Sequence, residues 1–279
     1  NILIPMAGAG SRFEKAGYTF PKPLIEIHGK TMIQWVLDGL GLKGNYIFII
    51  RKEHQEKYNI KHLLKALVPN CKIIENDGIT EGAACTTLLV KKIINNNNPL
   101  VIANSDQFIE WNSGKSMYKF VDKNADGGIL TFKSLHPKWS YAECYKNSKI
   151  VKRVAEKDVI SNNASVGIYY WSKGKDYVKY AEQMIRKKVL VNNEYYVCPV
   201  FNEAIMSGKK IGISKDRCYS NYIQMANEEA KRKDGINVVS IMTPPSSHQI
   251  IAEKFIDKNI HIISDKPFAG NLDQAKKLH

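Results

Sequence analysis

Short apolar runs alternate with longer amphipathic stretches through the first hundred residues, and this alternation restricts the chain to few folds. Ile2 to Ala7, Tyr46 to Ile50, Lys72 to Glu75 and Pro99 to Ala103 read as strands. Met32 to Leu42, His54 to Leu67 and Ala83 to Ile94 carry apolar residues at helical spacing between them. Strand–helix–strand order of this kind predicts βαβ units and a mostly parallel sheet. From Gly127 the pattern changes. Gly127 to Phe132, Ala142 to Tyr145, Ile150 to Val154 and Ser165 to Trp171 are short strands between polar turns, which predicts mixed or antiparallel strands extending the sheet. Near Lys215 the alternation restarts, with a helix from Asn221 to Arg232, a strand from Asn237 to Met242, a helix from Ser247 to Asp257 and a strand from His261 to Ser264. Two regions follow, a larger domain over residues 1–214 and a smaller α/β piece over 215–279. Asn95 to Asn98 is the one low-complexity tract, and no repeat of solenoid length is visible.

Composition narrows the function classes. Hydrophobic residues make up 44% of the 279 positions and charged residues 24%, as in an ordinary folded domain. The formal charge of +14 favours anionic ligands. Its lysines are scattered, with no basic run interleaved with aromatics, which argues against nucleic acid. No apolar stretch approaches membrane-spanning length. The five cysteines (Cys71, Cys85, Cys144, Cys198 and Cys218) are widely spaced and form no C-x-x-C pair, so neither a disulfide framework nor a zinc site is expected. That pattern fits a reducing cytoplasm. The chain starts at Asn1 without an initiator Met and stops at His279 inside a helical pattern, as expected of a fragment of a longer reading frame.

Chemistry concentrates where the first strand ends. Ala7 is followed by Gly8-Ala9-Gly10-Ser11-Arg12-Phe13 and then by Pro21-Lys22-Pro23-Leu24. Close glycines after a strand let backbone N–H groups approach a polyphosphate, and arginine adds charge-assisted bonds to its oxygens. The sixth position is Phe13 where a dinucleotide fingerprint has glycine, and no Gly-Lys-Ser/Thr ending marks a P-loop. A lone G-x-G is equally a tight turn. Further on, Thr80-Glu81-Gly82-Ala83-Ala84 opens a helical stretch, where Glu81 is as readily a first-turn acid at the positive end of the helix dipole. Strand Pro99 to Ala103 delivers Asn104-Ser105-Asp106-Gln107 to the carboxyl end of the sheet, where α/β proteins bind ligands. Asp106 there is either a ligand residue or an Asx turn. Glu156-Lys157 alone is an ordinary exposed ion pair. The seven histidines show no metalloprotease spacing and read as structural or exposed.

In this combination and order, Gly8, Gly10, Arg12, Lys22 and the prolines around it resemble the signature loop of the sugar-phosphate nucleotidylyltransferases. The resemblance spans about residues 1–214 and implies a Rossmann-like, GT-A-like sheet with a mixed-strand substrate half. It implies that Ala7, Gly8, Ala9, Gly10, Ser11 and Arg12 cradle the NTP phosphates and that Glu81 and Gly82 read the base. It further implies that Asp106 binds a Mg²⁺ bridging those phosphates, a task for hard carboxylate oxygen. Glu156 and Lys157 would hold the sugar hydroxyls and phosphate of the acceptor. Ser165-Val166-Gly167-Ile168-Tyr169 and Asn193-Glu194-Tyr195-Tyr196, with Gly167 and Glu194, would line the same pocket. The implied reaction is attack by an acceptor phosphate oxygen on the α-phosphorus of the NTP, releasing pyrophosphate. Arg12, Lys22, Lys157 and the metal on Asp106 would act by positioning and charge neutralisation. The resemblance also implies a role in nucleotide-sugar and surface-polysaccharide synthesis, for a cytoplasmic enzyme, as monomer or homo-oligomer, with no nucleic-acid or membrane partner.

After Gly208-Lys209-Lys210-Ile211 the resemblance stops. The strand and Gly-Thr-Pro-like turn that normally follow, with a further metal ligand, are not visible in the sequence. Residues 222–278 resemble instead the NAD(P)-dependent oxidoreductases related to glucose-fructose oxidoreductase and inositol dehydrogenase. The matching residues are Val239-Ser240-Ile241-Met242-Thr243-Pro244-Pro245 with His248, and His261-Ile262-Ile263-Ser264-Asp265-Lys266-Pro267. No strand-linked G-x-G-x-x-G precedes them, so NAD(P) is not expected to bind this piece. Two alternatives stand beside the transferase reading: an oxidoreductase with an accessory N-terminal domain, and a non-catalytic nucleotide-binding chain.

Overall fold

The computed structural model describes residues 1–8, 17–122, 124–214, 221–232, 235–241, 243–264, 266–267 and 269–278. The chain divides into two compact units, Asn1–Asp216 and Arg217–His279.

The first unit is built on a nine-stranded sheet. Its parallel half contains β1 (Ile2–Met6), β4 (Tyr46–Arg51), β5 (Lys72–Asn76) and β6 (Leu100–Ala103). β1 lies in the middle, with β4 on one flank and β6 on the other, both parallel to it. Beyond β6 comes β10 (Asn163–Trp171), which runs antiparallel to β6 and to β7 (Gly127–Lys133). β8 (Ser140–Cys144) joins β10 on its other course and pairs with β9 (Val151–Glu156), both antiparallel. The predicted mixed half is therefore present. β11 (Ile211–Ser214) closes the edge, parallel to β7. This corrects the expectation that no strand follows Ile211; Ile211 and Ile213 are buried because β7 supplies their backbone partners.

β1 shows how the sheet faces two cores. Ile2, Ile4 and Met6 point to one side, against α1 (Met32–Leu40), α3 (Ile60–Leu67) and α6 (Ser113–Asp122). Leu3 and Ala7 point to the other, with α4 (Ala83–Leu88), α7 (Gly174–Arg186) and α8 (Val200–Met206). Alternation with period two thus gives helix–sheet–helix layering. In the second core Trp171 stacks on Phe201 at 4.4 Å between ring centroids, nearly parallel, and both are fully buried.

Two helices read as continuous are broken. The stretch from His54 to Leu67 is α2 (Lys52–Tyr58) followed by α3, because Asn59 sits in the left-handed region (φ 47°, ψ 42°) and its N–H caps Gln55. Asparagine tolerates that conformation better than other residues with a Cβ. The stretch from Ala83 to Ile94 is α4 and then α5 (Lys91–Ile94). Here the hydroxyls of Thr86 and Thr87 donate back to the carbonyls of Gly82 and Ala84, a local competition that weakens helices. α1 ends two residues early, at a left-handed Gly41 whose N–H reaches Leu37.

The second unit pairs β12 (Val238–Ile241) with β13 (His261–Ser264) in parallel and packs them with α9 (Tyr222–Ala230) and α10 (His248–Ile256) around Ala226, Phe255 and Ile260. α11 (Leu272–Leu278) follows. Buried His248 ties two turns together, its ring nitrogens lying 2.7 Å from the Thr243 carbonyl and 3.0 Å from that of Pro267. Val238 and Ile263 on the two strands stay 48% and 61% exposed.

α8 and β11 lie inside the first unit and bury Val200, Phe201, Ala204 and Ile211, each worth about 1–3 kcal/mol by apolar burial. A chain ending at Asp216 should therefore melt cooperatively by circular dichroism, whereas one ending at Pro199 should show no cooperative transition. Equal melts for both would place the end of the first core upstream of α8.

Candidate active site

Several candidate residues gather where β1 and β6 end. Past Met6, Ala7 is buried and Gly8 is exposed, with no other group within 4 Å of where a Cβ would project. Ala9, Gly10, Ser11 and Arg12 lie outside the described residues. The chain re-enters as a 3-10 turn, Lys22–Leu24, whose first N–H positions are filled by Pro21 and Pro23. A hairpin of β2 (Glu26–Ile27) and β3 (Lys30–Thr31) follows. Its two turn residues, His28 and Gly29, both take positive φ, as a two-residue hairpin turn requires. The turn delivers the Lys22 ammonium directly onto the carboxylate of Asp106, just past β6. Both side chains keep more than a quarter of their surface in solvent (28% and 29%). A pair this open contributes under about 1 kcal/mol to stability, so either group can change partner cheaply.

Gly82 is forced to be glycine twice over. Its φ of +126° with ψ 172° is a region essentially closed to other residues, and a Cβ there would stand 2.5 Å from the backbone of Tyr195. The contact is a main-chain stitch: Tyr195 donates its N–H to the Glu81 carbonyl (2.8 Å) and accepts from the Ala84 N–H (2.9 Å). The side chain of Glu81 is exposed. Thr80 adds a hydroxyl–hydroxyl bond to Thr86 at 2.6 Å.

Gly167 occupies an irregularity in β10, where the register with β7 shifts between Ser165 and Tyr169. It has φ +77°, and a Cβ would collide with the side-chain amides of Gln107 and Asn104 at 2.2 and 2.3 Å. Those two amides bond to each other at 3.2 Å, and the Asn104 N–H donates to the Gly167 carbonyl at 2.9 Å. The loop that carries Asp106 is thereby seated on β10.

Glu156 ends β9 directly opposite Ser140 of β8 and accepts a hydrogen bond from its hydroxyl. Burial pushes its carboxyl above the usual carboxylate range, and the Glu194 carboxylate adds to the rise against opposing effects of Ser140 and Lys157. Nearby Tyr169 and Cys198 are fully buried and pushed strongly upward by desolvation. The chain then reverses at Lys157, which takes a left-handed φ of +57° and donates its N–H to the Trp139 carbonyl at 3.0 Å. Its ammonium lies 4.6 Å over the Tyr196 ring and donates to the Tyr196 hydroxyl at 2.5 Å. Glu194 belongs to the turn Val191–Glu194, and its carboxylate adds to burial in pushing the Tyr196 phenol up.

The described candidates thus fall into three joined groups: Lys22 with Asp106, Glu81 and Gly82 on Tyr195, and Glu156 and Lys157 beside Glu194 and Tyr196. Gly167 underpins the Asp106 loop. Ser140, Asn104, Gln107 and Tyr196 as side-chain partners were not singled out by sequence. Only strand register, which pairs Ser140 with Glu156, carries a signal for the first of them. Among the described residues no three His, Cys, Asp or Glu side chains converge as a metal cage, Cys71, Cys85, Cys144 and Cys198 are free thiols, and no helix is long and apolar enough to cross a membrane.

Comparison with known proteins matches residues 2–189 to the nucleotidyl transferase family and residues 200–279 to the oxidoreductase family with an NAD-binding Rossmann fold. The second match begins in α8, its first seventeen residues, 200–216, lying within the first unit. Over 180 residues the chain is 28% identical to mannose-1-phosphate guanyltransferase of Schizosaccharomyces pombe, covering 60% of this chain and 48% of that protein. Over 60 residues it is 47% identical to the uncharacterized oxidoreductase YfiI of Bacillus subtilis, covering 22% of this chain and 15% of that protein. The chain therefore spans half or less of these curated relatives. Among solved structures, a nucleoside-diphosphate-sugar pyrophosphorylase from Vibrio cholerae RC9 superposes with a TM-score of 0.66 at 26% identity, covering 77% of this chain and 91% of that one. With the family model spanning most of its length and the fold in agreement, the chain belongs to the nucleotidyl transferase family.

Proposed function

We propose that this chain transfers a nucleoside monophosphate from an NTP to the phosphate of a small acceptor, a sugar 1-phosphate, releasing pyrophosphate. The observation that carries the reading is the Lys22–Asp106 pair at the carboxyl ends of two adjacent parallel strands, on the fold of a family with this chemistry. An acceptor phosphate oxygen attacks the α-phosphorus, the bond from that phosphorus to the bridging oxygen breaks, and pyrophosphate leaves with the electron pair. No proton need be abstracted from an ionised phosphate, so the work of the protein is to align two anions and offset their charge. Lys22 supplies one cation to the NTP phosphates, and Arg12 in the glycine loop is proposed to supply another. Lys157 supplies a third to the acceptor phosphate. Gly82, whose missing Cβ admits the Tyr195 main chain, seats the segment proposed to read the base, and Glu156 accepts hydrogen bonds from acceptor hydroxyls.

Asp106 fits a divalent cation carried on the NTP. Mg²⁺ is commonly held by one or two carboxylates plus phosphate oxygens rather than by an all-protein cage, and Asp106 is a part-exposed carboxylate already compensating a cation. When bound there, the metal would offset charge on the phosphates. The name of the fission-yeast relative makes GTP with mannose 1-phosphate the first substrate pair to test. Nucleotide-sugar production for surface polysaccharide is the corresponding role.

Residues 215–279 are proposed to add no dinucleotide site, since their matched motifs lack the glycine loop that neutralises a pyrophosphate.

Two measurements test this reading. Asp106→Asn, which keeps size and polarity but not charge, should lower Mg²⁺-dependent pyrophosphate release by about 100-fold or more, with an unchanged circular dichroism spectrum. Wild-type turnover by that variant would remove Asp106 from the site. Glu156 gives the second. A carboxyl raised on folding favours the native state while protonated, and that contribution fades as pH climbs through the raised value. Urea unfolding between pH 4 and 8 should therefore show Glu156→Gln gaining stability relative to wild type as pH increases; a pH-independent difference would mean that Glu156 ionises as freely in the fold as in the unfolded chain.

A further inference from the structure

Tyr196 has no role in the reading above, yet it makes two contacts to the ammonium proposed to meet the acceptor phosphate. A lysine carries its charge on a flexible four-carbon stem, so its backbone position alone does not place it. The backbone of Lys157 is fixed by its left-handed φ and its bond to Trp139, and Tyr196 holds the far end through its hydroxyl, which accepts from the ammonium at 2.5 Å with the ring centroid 4.6 Å away. Burial, and to a lesser extent the Glu194 carboxylate, push the phenol above its ordinary range against the effect of Lys157, so the hydroxyl accepts from lysine as a neutral group. One residue earlier, the main chain of Tyr195 is stitched to Glu81 and Ala84. The segment from Glu194 to Tyr196 therefore touches the proposed base-reading backbone with one residue and the proposed phosphate-binding lysine with the next.

We propose that Tyr196 is a positioning residue: it holds the Lys157 ammonium where an acceptor phosphate arrives and, through the Tyr195 stitch, sets that position relative to the nucleotide segment. The inference rests on the nucleotidylyl-transfer reading for what the phosphate belongs to, and its test is made independent of turnover. The full chain is reductively methylated with ¹³C, and the Lys157 dimethylammonium resonance is assigned by its loss in Lys157→Arg. In wild type the contact with the Tyr196 hydroxyl should displace this resonance from the position of an exposed lysine, and inorganic phosphate should shift it in a saturable titration. Tyr196→Leu should return the resonance to the position of an exposed lysine and weaken the phosphate titration about tenfold, the scale of one charge-assisted hydrogen bond. Tyr196→Phe, which removes the hydroxyl alone, should move the resonance toward the exposed-lysine position and lose part of the phosphate affinity, and it carries the comparison if the leucine variant is poorly folded. Coincident titrations in wild type and Tyr196→Phe, an unshifted wild-type resonance, or no response to phosphate would each overturn the proposal. Pyrophosphate release is scored separately with NTPs and sugar 1-phosphates: a chain that passes the resonance tests but releases none refutes nucleotidylyl transfer while the positioning of Lys157 stands.

Discussion

Strand β1 is hydrogen-bonded on both flanks by parallel partners, β4 on one side and β6 on the other, and the site depends on that arrangement. Because the chain leaves β1 toward one flank and later returns on the other, the connections after β1 and β6 diverge and leave a crevice at their carboxyl ends. Lys22 reaches that crevice from the turn after β1, and Asp106 reaches it from the loop after β6. Inserting antiparallel β10 beside β6 then fixes the floor. Its glycine at 167 admits the Asn104 and Gln107 amides, so the Asp106 loop is seated by β10 as well as by β6.

The electrostatics of the two halves differ in kind. Lys22 and Asp106 are part-exposed and paired, an arrangement worth little to folding and easily exchanged for a ligand's charges. Glu156 is partly buried, raised by desolvation and held by a serine hydroxyl, so its hydrogen bonding is costly to leave unmet. An acceptor hydroxyl offered to Glu156 would meet a group selected for hydrogen bonding more than for charge. Lys157 stands between these cases, with its backbone anchored and its ammonium hydrogen-bonded to a phenol.

Much of the parallel half was legible from periodicity, because β1, β4 and β6 are continuous apolar runs at βαβ spacing that bury both faces, while β5, at the sheet edge, is marked by Ile73 and Ile74 alone. The helix breaks at Asn59 and after Thr87 were not, since they come from a left-handed asparagine and from hydroxyls that bond backward, neither of which disturbs apolar spacing. β11 escaped notice because Ile-Gly-Ile-Ser is too short to declare itself and needs β7, more than 80 residues away, to become a strand. For the site, the loops and glycines at 82 and 167 were readable as positions, whereas their partners were not. The Lys22–Asp106 contact spans 84 positions and the Lys157–Tyr196 contact 39, distances over which only the folded register decides who meets whom. The family match ends at residue 189 while the first core continues through Ser214, so sequence similarity and packing place its end differently.

Trp171 stacks flat on Phe201 and is flanked by Tyr177 and Tyr180 in a fully dry core. The other three tryptophans, Trp35, Trp111 and Trp139, also precede Asp216, and the second unit has none. Indole emission from this chain is consequently a private signal of the nucleotidyl transferase unit. The smaller unit is optically silent at the same wavelengths, so its unfolding must be followed by a probe placed there on purpose.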